Sequence, residues 1–145
     1  MNSISLNQLV PILQLAIGPV ILISGVGLLL LTLTNRFGRL LDRARQLNHE
    51  RPASDADAAD VRAQIEILHR RAGILRLSVI LGAITVLLVA VLILVLFVAA
   101  LFGLEAGWLI VGMFCLGQLA LIGSMLAFIR DMNLSLAAVR LEIKR

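Results

Sequence analysis

The stretch Gly18-Pro19-Val20-Ile21-Leu22-Ile23-Ser24-Gly25-Val26-Gly27, continuing through Leu28 and Leu33 into Thr34-Asn35-Arg36-Phe37-Gly38-Arg39-Leu40-Leu41-Asp42-Arg43, decides the fold. It starts as a segment at home only in hydrocarbon and ends, with its helical period intact, studded with arginine. At 100° per residue, Gln14, Gly18, Ile21, Gly25, Leu28, Thr32, Asn35, Arg39, Asp42 and Gln46 share one narrow stripe. Most of those residues are small or polar, so the stripe should face protein or water rather than acyl chains.

The rest of the chain follows the same logic. Of its 145 residues 60% are hydrophobic, with a mean hydropathy of +1.00, against roughly 45–50% apolar in soluble domains. Three uncharged apolar runs, 4–35, 77–104 and 106–129, account for the excess. Each exceeds the length of about 20 residues needed to cross about 30 Å of hydrocarbon. None alternates with period two, so a barrel is not expected.

All 13 Lys and Arg residues lie between Arg36 and Arg76 or from Arg130 onward. The positive-inside rule therefore predicts an exported N-terminus and a cytoplasmic C-terminus. Residues 1–10 contain no basic residue, so the first span is expected to be a retained anchor and not a cleaved signal. The expected architecture is all-α and integral to the membrane: a first span at 9–34, a cytosolic antiparallel helical hairpin at 35–76, spans at 77–104 and 107–129, and an amphipathic tail helix at 130–145.

Local patterns fill in this frame. Pro19 should kink the first span. In the hairpin, Phe37, Leu40, Leu41, Ala44 and Leu47 face the seam Val61, Ile65, Leu68, Ala72 and Leu75, whose 4-3-4-3 spacing is heptad-like. Pro52 and Ser54 or Asp55 form the connection and cap between its arms. Arg62, Glu66 and Arg70 belong on the solvated side. Ser78, Gly82 and Thr85 share a face of the second span; Gly117, Gln118, Gly123 and Ser124 give the third span small residues for close approach. The turn from Gly103 to Gly107 makes these two spans antiparallel neighbours, and Trp108 sits where an interfacial aromatic belongs. Arg130 and Asp131 mark the cytoplasmic end of the third span. In the tail, Met132, Leu136, Val139 and Ile143 share a face suited to the inner leaflet or the hairpin.

The first-span motif, with Asp42-Arg43-Ala44-Arg45 after it, resembles a bacterial membrane family known as the domain-of-unknown-function family 2721. The resemblance covers most of the chain. It implies a small inner-membrane protein without an assigned activity and supplies no catalytic residue.

The chemistry expected from the residues is non-enzymatic. No Asp, Glu, His, Lys or Arg lies within a span, where catalysis or proton relay usually needs one. His49 and His69 stand apart, no metal-ligand spacing occurs, and no cofactor is called for. Cys115 reads as a small buried hydrophobe. Although the sequence pI is about 11.0, the basic excess is what topology and anionic headgroups require, and nucleic acid is not an expected partner.

Two readings of function remain. In the first, a homo-oligomer forms an ion channel with Gln14, Gly18, Ser24, Gly25, Leu28, Thr32 and Asn35 toward a pore and Arg36, Arg39, Asp42 and Arg43 at its cytoplasmic mouth. Packing is the commoner use of such a small-residue stripe. In the second, a membrane scaffold docks a cytosolic protein on the hairpin.

Overall fold

The computed structural model describes residues 6–49 and 55–142, with side chains over 10–49 and 61–135. Among these, the chain is three helices: α1 (Leu6–His49), α2 (Asp55–Phe102) and α3 (Gly107–Glu142). All three are long and apolar enough to cross a membrane. Large apolar side chains cover their outer surfaces; Leu28 is 69% exposed and Phe102 70%. Such a surface is stable against lipid and not against water. At about 1.5 Å per residue, α1 and α2 are each roughly twice as long as the hydrocarbon is thick, so both must continue beyond it.

The chain divides into two compact units. Unit 1 comprises Met1–Leu30 and Leu81–Ile122; unit 2 comprises Leu31–Ile80 and Gly123–Arg145. The helices are continuous through these divisions.

Heptads build the interior. On α1, Val26, Leu33, Leu40 and Leu47 are buried at intervals of seven. On α2 the buried positions Leu75, Ser78, Gly82, Thr85, Val89 and Leu92 alternate steps of three and four. That alternation is the spacing that keeps one seam of a helix turned inward.

In unit 1, α2 ends at Gly103, whose φ of +63° is the left-handed conformation glycine adopts without penalty. The Leu104 N–H donates to the Ala99 carbonyl at 2.9 Å, closing a Schellman cap. Ala106 then accepts from Ile110 at 3.0 Å to open α3. The expected tight turn is present. Pro19 removes a donor to the Leu15 carbonyl, yet α1 runs through it without interruption. Its ring lines an apolar cavity of about 250 Å³ with Leu15, Ala16, Leu92 and Phe114.

In unit 2, the two arms of the expected hairpin use their apolar faces internally. Leu40, Leu47 and Leu75 are buried, Phe37, Ala44, Val61, Ile65, Leu68 and Ala72 are half-buried, and Arg62, Glu66 and Arg70 are exposed. Leu41 is the exception at the surface.

Two expectations need correction. The C-terminal residues are not a separate amphipathic helix, because α3 continues unbroken from the span to Glu142. Neither Gly nor Pro interrupts the stretch after Ser124, and Asp131 is held by two neighbouring helices. Cys115 is exposed, not buried. It lies two residues, or 200°, around the helix from the inward-facing Gly117. The connection at 50–54, with Pro52 and Ser54, lies outside the described residues, as do Ile143 and the side chains of Asp55, Leu136 and Val139.

A buried carboxylate clasp and a basic cavity

Polar contacts between α2 and α3 recur every seven residues on each helix. In unit 1 the Thr85 hydroxyl donates to the Leu81 carbonyl at 3.0 Å and also lies 3.3 Å from the Gly117 carbonyl. A Cβ on Gly117 would sit 3.7 Å from Val89 Cγ2 and 3.8 Å from Leu88 Cβ, in ordinary contact with α2. In unit 2 the next pair, Ser78 and Ser124, is reciprocal. Each hydroxyl donates to the other residue's carbonyl at 2.7 Å. Hydroxyls satisfied in this way cost little to bury in lipid.

Seven residues further along α3, and seven back along α2, the pair becomes ionic. Asp131 is fully buried, and Arg71 Nε donates to its Oδ1 at 3.2 Å. A third helix joins here. Arg36 Nε of α1 lies 3.1 Å from Asp131 Oδ2. The Arg36 guanidinium also contacts the Met132 sulfur through Nη1 and sits 5.5 Å from the centroid of the Phe128 ring. The Arg36 approach is an ion pair without a directed hydrogen bond, so Oδ2 remains a buried acceptor with no hydrogen-bond partner. One carboxylate thus ties all three helices together. A buried charge of this kind is tolerable only with such partners.

Beside this clasp lies an open cavity of about 300 Å³. Arg36, Arg39, Leu40 and Arg43 of α1 line it with Leu68 and Arg71 of α2. On α1 these positions follow i, i+3, i+4, i+7, so the three arginines share a helix face.

The residues expected at a pore divide between exposed and engaged positions. Gln14, Gly18, Ser24, Gly25, Leu28, Thr32 and Asn35 are all exposed in the single chain. Nothing lies within 4 Å of a Cβ built on Gly18 or Gly25. Ser24 Oγ reaches back to the Val20 carbonyl at 3.4 Å. At the expected mouth, Arg39, Asp42 and Arg43 are exposed, whereas Arg36 is half-buried against Asp131.

Sequence reasoning placed Asp131 at the end of a span and did not pair it. The signal was present in the two series 71, 78, 85 and 117, 124, 131, each with a constant step of seven. Among the described residues, no group of three His, Cys, Asp or Glu side chains is placed to hold a metal ion.

No match to the chain was found among the curated proteins or the solved structures. The family described as "Protein of unknown function (DUF2721)" matches residues 16–141, most of the chain and the greater part of each helix. The chain is a member of that family, and its three apolar helices are those of a membrane protein.

Proposed function

We propose that the protein is a non-catalytic homo-oligomer of the bacterial inner membrane, channel-like, with the exposed stripe of α1 turned toward the other copies and a central path for an ion. The N-terminus is outside and the C-terminus cytoplasmic, as the placement of the basic residues favours.

One observation carries the reading: α1 bears two heptad seams on different faces. Val26, Leu33, Leu40 and Leu47 are buried within the chain, while Gly18, Ile21, Gly25, Leu28, Thr32 and Asn35 repeat the 4-3 alternation and stay exposed. A seam of small and polar residues in lipid gains by close approach to another helix or by facing water. The glycines of that seam are not used by the chain itself. The alternative, a scaffold docking a partner on the hairpin, has less to stand on, since most of the hairpin's apolar faces are buried or half-buried in unit 2.

The test is the native mass of the protein in lipid nanodiscs, with Gly25→Leu beside the unmodified chain. Four or more subunits are expected for the unmodified chain, enough to surround an axial path. For Gly25→Leu the expectation is loss of assembly with helicity retained, because the single chain has room for the side chain. A monomer or dimer of the unmodified chain overturns the channel reading.

A further inference from the structure

The cavity in unit 2 is more basic than the fold needs. Four guanidinium groups, those of Arg36, Arg39, Arg43 and Arg71, line it. Among the described residues only Asp131 pairs with any of them, and it takes Arg36 and Arg71. No described carboxylate is ion-paired with Arg39 or Arg43, and Asp42, exposed on the same helix, is not part of the lining. Like charges gathered around one opening repel, so the arrangement gains from an anion between them.

The clasp also prepares the site. Asp131 holds Arg36 and Arg71 through their Nε atoms, and both side chains remain partly exposed, at 23% and 18%. Guanidiniums fixed in advance lose less freedom on capturing a ligand, and their forked geometry suits phosphate oxygens. Leu40 and Leu68 supply an apolar wall.

The position along the chain points to the ligand. Arg36 is the first charge after the uncharged run 4–35, Arg130 ends the run 106–129, and Arg76 precedes the run 77–104. The cavity therefore belongs where hydrocarbon gives way to headgroups.

We infer that the cavity formed by Arg36, Arg39, Arg43 and Arg71 binds a phosphate group, presented by an anionic phospholipid headgroup or by free phosphate. The site is complete within one chain and does not depend on a pore.

The experiment titrates phosphatidylglycerol, phosphatidylcholine and inorganic phosphate against the full chain in detergent. Bound lipid is read by native mass spectrometry, and the melting temperature reports on phosphate. The paired substitution Arg39→Gln/Arg43→Gln removes two charges that no described carboxylate pairs with. Arg45→Gln/Arg70→Gln removes two exposed charges outside the lining and serves as the control. Phosphatidylglycerol is expected to bind at least about tenfold more tightly than phosphatidylcholine. The cavity pair should weaken it roughly 10- to 30-fold, and the control pair by less than about threefold. If inorganic phosphate raises the melting temperature and displaces the lipid, with the same dependence on Arg39 and Arg43, the site takes the free ion. Equal losses in both pairs overturn the inference, as does binding by neither probe that depends on Arg39 and Arg43.

Discussion

Units 1 and 2 join α2 to α3 at heptad intervals but with different chemistry. In unit 1, the Thr85 hydroxyl meets the carbonyl of Gly117, a neutral contact beside a residue whose Cβ position is already in ordinary contact with Val89 and Leu88. In unit 2, Ser78 and Ser124 exchange hydrogen bonds, and Arg71 pairs with a fully buried carboxylate that also draws in Arg36 from α1. Neutral contacts satisfy themselves between two helices. A buried charge needs more partners than one neighbour offers, so it recruits the third. Polarity thereby decides how many helices a contact joins.

The comparison can be broken most forcefully at Asp131. Asp131→Ala should destabilise the protein by about 3–5 kcal/mol in reversible unfolding from mild detergent, because two arginines lose their common partner. A loss below about 1 kcal/mol would mean that water already satisfies the arginines, and the distinction between the units would collapse. The neutral contact is sharpened at Gly117. Gly117→Val should cost about 1–3 kcal/mol through overpacking against Val89 and Leu88. Gly117→Ala fits at ordinary contact distance and should gain up to about 1 kcal/mol from helix propensity. Equal effects of Ala and Val would show that space beyond a methyl group is not limited at this position. The smallest effect belongs to Ser78→Ala, about 0.6 kcal/mol in the same unfolding assay. A cost as large as that of Asp131→Ala would place the serine pair with the ionic contact.

Much of this was legible before any coordinates. The uncharged runs predicted three spans because hydrocarbon imposes a minimum length, and Gly103 announced its turn because few residues accept a positive φ. The hairpin seam was visible in the spacing from Val61 to Leu75. The burial and pairing of Asp131, by contrast, were not legible. A charged residue following Ile129 has the same local appearance whether it ends a span in water or turns inward, and its burial depends on Arg36 and Arg71, which are distant in sequence. The tail was misread for a related reason: an amphipathic face looks alike on a free helix and on the extension of a longer one. The small residues of α1 and α3 were equally ambiguous. Gly25 and Gly117 look alike in sequence, and only the fold shows that its own chain approaches one and leaves the other open.

The recurrence of Ser124 and Asp131 also makes α3 sensitive to counting. Deleting any one residue between them would rotate everything beyond by 100° relative to the preceding face. The carboxylate would swing off its line while every neighbouring residue type stayed the same. Inserting seven residues would restore its face but carry it about 10 Å along the axis, away from Arg71. The turn between α2 and α3 has no such memory, since its backbone hydrogen bonds, from Leu104 to Ala99, Ala106 to Leu104 and Ile110 to Ala106, are local in sequence. Variation in length should therefore be free to accumulate at the turn while α3 keeps its count.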